Sequence, residues 1–419
     1  MITSFVFIAA FVLALPMLWI SCRVCTRIGL VDLPNERKRH RGEVPLAGGM
    51  GIYVTMVIIA IVVDLVLGPA MSVGCVGGIA LILGGAALLL GALDDALDLD
   101  PKLRLVCQTG IALVLAMVFD VRIDSLGNVL GTGDIRFDGG VAVVFTTFCV
   151  VGALNATNMT DGLDGLLASL IAASLGALTI LTLLASGVAP ELLCVVAIGA
   201  LAAFLVLNLG VFGDRHRVFL GDSGSTLLGL LIAVLLVGYS RPPNQAIEPV
   251  VAGWLLGLPL LDTTVVVLRR VQRGCSPLRA GRDHLHHLLQ AGGLTAGRTL
   301  IVMLGVHVAM LGIGVLAQLS SLPAWIFFGG FIALTLLHFV FTACLASKIE
   351  RDLRTAAVGR ERLRADHGID LSRESMGKQS TLTFPHVPAF QVRPNAAVPA
   401  DGELREDERS REVVDAVPD

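Results

Sequence analysis

Residues 74–100 read GCVGGIALILGGAALLLGALDDALDLD, and this stretch decides the fold class. Its first part, 74–93, has no charged residue and is about as long as a helix must be to cross the hydrocarbon core of a bilayer. Four aspartates follow within seven residues, at Asp94, Asp95, Asp98 and Asp100. The stretch therefore predicts a membrane helix that ends in an acidic cluster.

The composition of the whole chain also indicates a membrane protein. Of the 419 residues, 55% are apolar before the 46 glycines are counted, and 16% are charged, against about 25% in soluble domains. A chain with so little polar surface cannot cover a soluble globule, so that class is excluded. The formal net charge of −3 gives no indication of nucleic acid binding, and we expect no nucleic acid partner.

Eleven apolar segments of about the length that a membrane-spanning helix needs occur along the chain. They lie at 2–22, 46–67, 74–93, 104–121, 140–156, 166–186, 191–210, 223–240, 249–268, 299–319 and 324–346. Lys and Arg are divided 21 to 3 between alternate sets of loops, and the richer side is cytoplasmic by the positive-inside rule. We therefore expect an all-α integral membrane protein of about eleven transmembrane helices, with the N-terminus outside and the C-terminus in the cytoplasm.

The segments also divide the chain into regions. Residues 1–346 form the predicted membrane domain, and 347–419 form a charged cytoplasmic tail that we expect to be largely disordered, with a basic surface helix over 348–366. The external segment 122–139 has turn residues between short apolar stretches, which predicts a hairpin or a loop.

A second acidic cluster lies in NATNMTDGLDGL, at 155–166. Its amides and carboxylates recur every third residue, so a tight helical turn would place them along one face. They are Asn155, Asn158, Asp161 and Asp164. Such hard oxygen ligands suit Mg²⁺, which is usually bound together with substrate phosphates. The alternative is a helix cap followed by a turn.

Two further motifs lie on the predicted cytoplasmic side. In GDSGS, at 221–225, Asp222 is either a helix N-cap or a metal ligand beside helix amides that attract phosphate. The loop 269–298 carries five arginines before His284, His286 and His287, a set that suits a diphosphate-like anion. Its arginines, like the basic run 37–41 of the first loop, could alternatively serve only as a topology signal or contact anionic lipid.

Acidic and basic groups at one membrane face are what phosphoryl transfer needs, because a metal and cations neutralise the charge that spreads over the phosphate. A membrane transporter is the rival interpretation, since intramembrane acids often line a transport path. These acids lie at helix ends rather than near the middle of the bilayer, which favours the enzyme.

Five motifs, taken together and in order, resemble those of the polyprenyl-phosphate N-acetylhexosamine-1-phosphate transferases over about residues 1–346. They are DD at 94–95, NxxNxxDGxDGL at 155–166, FLGDSGSTLLG at 219–229, HLHH at 284–287 and PNxRKxH…PxxGG in the first loop. HxHH and the eleven segments are similar to the WecA type, which uses UDP-N-acetylglucosamine. That type commonly has an aspartate before the arginine that precedes the histidines, whereas this chain has Gly281 before Arg282.

The resemblance implies that undecaprenyl phosphate attacks the β-phosphorus of a UDP-N-acetylhexosamine, releasing UMP and starting a lipid-linked surface polysaccharide such as O-antigen. UDP-N-acetylglucosamine is the expected donor, with UDP-MurNAc-pentapeptide or another UDP-N-acetylhexosamine as alternatives. It also implies a bacterial inner membrane protein whose active site faces the cytoplasm. A homodimer stays open.

The resemblance further implies roles for particular residues. Asp94, Asp95 and His284 would be catalytic, and Asp222 and Asn158 would bind Mg²⁺, or Mn²⁺ as an alternative. The implied substrate-binding residues are Lys38, His40, Asp161, Asp164, Phe219, Arg282, His286 and His287. A phosphate monoester, with a second pKa near 6, is mostly a dianion at pH 7. We therefore expect Asp94 and Asp95 to orient the lipid phosphate at least as much as they remove its proton, with a covalent aspartyl intermediate as the open alternative.

Overall fold

The computed structural model describes residues 2–33, 42–68, 73–186, 191–277 and 281–367. For Leu67, Ser186 and 356–367 it describes the backbone only. Most of the described chain is helical. The helices are α1 (Ile2–Ile28), α2 (Gly48–Leu67), α3 (Gly74–Leu97), α4 (Pro101–Met117), α5 (Gly139–Thr160), α6 (Leu166–Ser186), α7 (Leu192–Asn208), α8 (Gly221–Tyr239), α9 (Pro249–Gln272), α10 (Leu285–Ala291), α11 (Ala296–Leu319) and α12 (Ala324–His367). The predicted all-α membrane class is confirmed.

Each of the eleven predicted segments coincides with a helix, and in the described ranges the short α10 and a 3-10 turn at Asp214–His216 lie outside them. Within the described ranges, nine helices are long and apolar enough to cross a membrane. The helices α4 and α7 have 17 residues each, a length of about 26 Å, slightly less than the hydrocarbon thickness. The orientation of the termini stays a prediction.

Two short antiparallel strand pairs accompany the helices. β3 (Ser125–Gly127) pairs with β4 (Ile135–Arg136), which confirms a hairpin in the segment 122–139. β1 (Val31–Asp32) pairs with β2 (Val44–Pro45), a pairing that the sequence did not predict. The first-loop residues Lys38 and His40 lie between β1 and β2, outside the described residues.

The last helix continues beyond residue 346, where the predicted membrane domain ends, and the division into domains stays a prediction. α12 continues without a break from the apolar segment to His367, so the helix expected over 348–366 is an extension of the last membrane segment rather than a separate element. The predicted disordered tail, 370–419, lies outside the described residues.

The helix α8 is the centre of the bundle. Every residue from Ser223 to Gly238 is buried, and α8 packs against α2, α3, α5, α6 and α9. Glycines allow the closest approaches: a Cβ at Gly91 of α3 would overlap the backbone of Asp222, and a Cβ at Gly229 would overlap the side chain of Thr157. These two contacts bring the polar ends of α3 and α5 to the start of α8.

The helix α9 is kinked, and two polar side chains stabilise the kink. Gly257 has a positive φ of 48°, and Pro259 has no N–H to donate to the carbonyl of Leu255. The hydroxyl of Ser174 donates to this carbonyl at 2.8 Å, and the N–H of Leu258 donates to Nδ1 of His307 at 3.3 Å. The backbone groups left unpaired by the kink are thus satisfied inside the bundle, where no water replaces them.

Candidate active site

The end of α3 and the start of α8 are joined by one carboxylate. Asp95 accepts the backbone N–H of Asp222 at 2.8 Å and that of Ser223 at 3.0 Å. The first N–H groups of a helix have no partner within it, so Asp95 caps α8 from another helix. Neither interpretation of GDSGS is fully correct, because Asp222 is not the cap and these two amides are occupied rather than open to phosphate.

Asp94, the other half of the pair, is held by its surroundings. It is buried, and its carboxylate accepts from Arg104 of α4 at 2.8 Å and from the N–H of Leu99 at 3.1 Å. Asp100 caps α4 by accepting the N–H of Lys102 at 2.7 Å. Asp94, Asp95 and Asp100 therefore have different partners, and the catalytic roles of Asp94 and Asp95 stay predictions.

Asn158 and Asp222 are brought into direct contact. The amide nitrogen of Asn158 donates to Oδ1 of Asp222 at 2.6 Å and to the hydroxyl of Ser225 at 3.1 Å. The amide nitrogen of Asn158 only donates, so Oδ1 is the atom of this side chain that can serve as a metal ligand. The geometry therefore suits the pair predicted to bind Mg²⁺.

The expected single face over 155–164 is only half correct. Asn155 and Asn158 lie on α5, but α5 ends at Thr160, so Asp161 and Asp164 follow in a turn. Asn155 donates to Gln108 of α4 at 2.8 Å, which is a contact between helices. The two amides thus lie on α5, whereas the two carboxylates lie in the turn after it.

The turn after α5 brings several carboxyl groups close together. Burial and the negative charges of Asp222, Asp164 and Asp95 raise the pKa of Asp161 to about 8. Asp164 accepts from Arg217, at 2.8 Å, and this arginine provides a positive charge next to the acids. Carboxylates in such proximity favour a bound cation.

The histidine motif meets this turn through His286. The ring of His286 is 1% exposed, and within the described part of the chain neither ring nitrogen has a hydrogen-bond partner. A Cβ added to Gly162 would overlap Nε2 of His286, so the ring lies directly against the turn between Asp161 and Asp164. A buried polar ring without a partner is costly, which points to a ligand at this position.

Charge in the motif does not come from these histidines. Burial and the neighbouring His287 and His284 lower the pKa of His286 to about 3. Burial, together with His284 and Arg282, lowers the pKa of His287 to about 4. Both rings are therefore neutral at pH 7 and can bind phosphate by hydrogen bonds only, while the exposed Arg282 carries the positive charge.

His284 lies before α10 and is bound to α9. Its Nδ1 lies 2.9 Å from Oδ2 of Asp262, and Oδ1 of Asp262 accepts the N–H of Leu285 at 3.1 Å. The adjacent Asp283 forms a two-pronged ion pair with Arg270 of α9, at 2.7 and 3.2 Å. Burial alone would raise the pKa of Asp283. The hydrogen bonds from Arg270 and the positive charge of Arg270 outweigh burial, so the pKa of Asp283 is lowered overall.

The first loop reaches the site through Phe219. Its N–H donates to the carbonyl of Pro45 at 3.0 Å, and its carbonyl accepts the N–H of Gly48 at 2.9 Å. The PxxGG motif therefore pairs with the segment that leads to Asp222. The stacking role of Phe219 stays a prediction.

Sequence reasoning missed several residues of this region. They are Arg104, Arg217, Asp262, Asp283 and His338. Asp262 and His338 did carry a signal, because each is an isolated ionisable residue inside an apolar segment, where such residues are costly unless they are paired. Which residues pair with them could not be read from the chain.

The donor set fits a magnesium ion that also uses the substrate. In the described ranges no three His, Cys, Asp or Glu side chains are grouped closely enough to hold a metal by themselves. Mg²⁺ commonly takes one or two protein oxygens and completes its shell with phosphates and water. The oxygens of Asp222 and Asn158 match this requirement.

Long apolar helices surrounding a cluster of acids, arginines and neutral imidazoles define a multi-pass membrane protein with a site suited to phosphate groups. A family model described as glycosyl transferase family 4 matches residues 77–240, from α3 to α8. The chain belongs to this family, because relatives about one-third identical also align over most of its length.

These relatives carry the name undecaprenyl-phosphate alpha-N-acetylglucosaminyl 1-phosphate transferase. The protein of Salmonella typhi is 32% identical over 350 residues, which are 83% of this chain and 92% of the relative. That of Escherichia coli K12 is 32% identical over 364 residues, 86% and 95% of the two chains. That of Haemophilus influenzae is 32% identical over 329 residues, which are 78% of this chain and 90% of the relative. The resemblance that the motifs indicated is confirmed.

Proposed function

We propose that this protein transfers N-acetylglucosamine 1-phosphate from UDP-N-acetylglucosamine to undecaprenyl phosphate. The names of its relatives support this choice of acceptor and sugar. The observation that carries the proposal is the contact between Asn158 and Asp222, at 2.6 Å, beside the carboxylate of Asp95. The side-chain oxygens of Asn158 on α5 and Asp222 on α8 thus lie next to the acidic end of α3, which supports a metal site there. The proposed setting is the cytoplasmic face of a bacterial inner membrane.

In the proposed reaction an oxygen of the lipid phosphate forms a bond to the β-phosphorus of the nucleotide sugar. The bond between this phosphorus and the oxygen bridging to the α-phosphate breaks, and UMP leaves with the electron pair. Mg²⁺, or Mn²⁺, held by Asp222 and Asn158, would supply positive charge to the diphosphate. The lipid phosphate is mostly a dianion at pH 7, so its attack does not require a strong base.

The residues of the chain divide this work by their charge and position. Arg282 and Arg217 supply positive charge, whereas His286 and His287, neutral at pH 7, supply hydrogen bonds to substrate oxygens. Asp95 holds the start of α8 and thereby sets the position of Asp222. Preorganised groups of this kind are the main contribution of a protein to phosphoryl transfer.

The test uses the purified full-length protein in lipid nanodiscs with undecaprenyl phosphate. UDP-N-acetylglucosamine, UDP-N-acetylgalactosamine and UDP-MurNAc-pentapeptide are compared by release of UMP and by formation of a lipid diphosphosugar. We expect turnover with UDP-N-acetylglucosamine, loss of turnover with EDTA, and recovery with Mg²⁺ or Mn²⁺. Asp222→Asn should abolish turnover, whereas Asp134→Asn, at an exposed position of the hairpin between α4 and α5, should not. Absence of UMP release with all three donors would contradict the proposal, and turnover only with another donor would change the sugar.

A further inference from the structure

Three buried polar residues outside the matched family region form one cluster. Asp262 of α9 is 3% exposed, His284 before α10 is 5% exposed and His338 of α12 is 8% exposed. Oδ2 of Asp262 lies 2.9 Å from Nδ1 of His284, and its Oδ1 lies 3.2 Å from Nε2 of His338. Oδ1 also accepts the N–H of Leu285. This carboxylate therefore has three donors, as a buried charge requires.

The chemistry of a carboxylate assigns the protons. An ionised carboxylate only accepts hydrogen bonds, so His284 must donate from Nδ1 and His338 from Nε2. A ring nitrogen that donates to a carboxylate fixes both the tautomer and the orientation of the imidazole. Nε2 is then the only nitrogen of His284 that can reach a substrate oxygen.

The segment that carries His284 is held a second time. Asp283 is bound by the two prongs of Arg270, and Arg269 donates to the carbonyl of Asp283 at 3.2 Å. Asp262, Arg269 and Arg270 all lie on α9, so one helix fixes the main chain on both sides of His284. The arginines hold the main chain before His284 through Asp283, which leaves the ring of His284 and the N–H of Leu285 as the groups that depend on Asp262.

The contribution of α12 to this cluster is unexpected for a helix at the edge of the bundle. Large apolar side chains of α12, such as Leu336, Leu337 and Val340, are exposed, as on a lipid-facing surface. His338 is buried between them in sequence, and the hydroxyl of the buried Thr342 donates to its carbonyl at 2.7 Å. The polar side of α12 is therefore directed to Asp262.

We propose that Asp262 and His338 are positioning residues that hold His284 in the tautomer protonated at Nδ1, with Nε2 presented to the phosphate groups of the substrates. His338 acts through Asp262, because it neutralises and orients the carboxylate that in turn orients His284. The inference rests on the proposed function for the identity of the substrates. The tautomer itself follows from the contacts within the chain.

The first test compares Asp262→Asn with the wild type in the nanodisc assay. An amide at 262 is the same size but presents an N–H₂ group to one of the two histidines, so the tautomer of His284 is no longer enforced. We expect kcat to fall about 10- to 100-fold, the usual cost of losing such an outer partner, with a smaller change in KM for the nucleotide sugar. An unchanged kcat, or a loss confined to KM, would overturn the proposal.

The second test separates this role from simple folding. His338→Gln keeps a donor for Asp262 and His338→Leu removes it, so we expect Gln to retain clearly more activity than Leu. Equal activity of the two variants would count against the role of His338. This comparison also serves if Asp262→Asn does not fold.

The third test does not depend on turnover. Nitrogen-15 spectra of histidine-labelled protein distinguish the two tautomers, and the signal of His284 is assigned by its loss in His284→Gln. We expect a ring protonated at Nδ1 in the wild type and a changed signal in Asp262→Asn. An unchanged signal would refute the positioning role, whereas a wild type that releases no UMP would refute the proposed function instead.

Discussion

The carboxylate of Asp95 accepts the backbone N–H of Asp222 at 2.8 Å, across 127 positions of the sequence. One acidic residue thus acts as the helix cap that holds another acidic residue in place. The pairing gives the carboxylate of Asp95 two backbone donors at the position where it lies close to Asp222. It also makes the geometry at Asp222 depend on α3.

Asp95→Asn is expected to destabilise the protein. An amide accepts one of the two backbone N–H groups but presents its own N–H₂ to the other, so the loss should be about 1 kcal/mol in the free energy of unfolding. Asp100→Asn is the matched control, because Asp100 caps α4 through one bond, to Lys102, and asparagine is an equally good cap. Thermal unfolding in detergent measures both, and an equal response of the two variants would contradict the double cap.

Gly91→Ala is expected to reduce transfer without removing any polar group. The new methyl group would overlap the backbone of Asp222 and Ser223, so α3 and α8 must separate. Displacement of a reacting site by about 1 Å can cost about 100-fold in rate. Gly78→Ala, in the same helix but with open space around it, should keep normal turnover. If both variants are equally active in the UMP assay, the contact at Gly91 does not set the site.

Lowering the pH should destabilise the protein through His286. The folded state lowers the pKa of this ring from 6.5 to about 3, so below pH 6.5 the unfolded chain binds a proton that the folded chain does not. Its stabilising contribution is therefore complete above pH 6.5 and falls by about 1 kcal/mol at pH 5.5.

The variant His286→Gln tests this pH dependence. The difference in unfolding temperature, variant minus wild type, should be larger at pH 5.5 than at pH 7.5. His216→Gln, at an exposed position, should follow the wild type. Identical pH profiles of all three proteins would show that His286 is not held neutral.

Ser174→Ala is expected to destabilise the kink in α9. The carbonyl of Leu255 would lose its donor in a buried environment, at a cost of about 1–3 kcal/mol. Thr263→Val, in α9 itself, is the control. The buried hydroxyl of Thr263 has no hydrogen-bond partner in the described part of the chain. Valine should therefore be neutral or stabilising there. A Ser174→Ala protein as stable as the wild type would mean that the kink needs no external donor.

The sequence was informative where one segment suffices to determine structure. Apolar length predicts the helices, and the acidic and basic motifs predict which loops form the site, because both signals are local. The contacts of Asp262 with His338 and of Asp164 with Arg217 could not be predicted, since they join residues 76 and 53 positions apart through helix packing. The neutrality of His286 also depends on burial by the turn at Gly162, which its own segment does not encode.

The backbone pairing of Phe219 with Pro45 and Gly48 has a consequence for biogenesis. A membrane protein enters the bilayer from its N-terminus, so the start of α2 emerges long before the segment that it pairs with. Pro45 and Gly48 can therefore pair with Phe219 only after this segment has been synthesised. Asp95 likewise gains its two backbone donors, Asp222 and Ser223, only when the start of α8 is present. We expect truncated chains that end before residue 219 to insert their helices and yet lack an ordered site, so that the arrival of α8 is the step that completes the enzyme during synthesis.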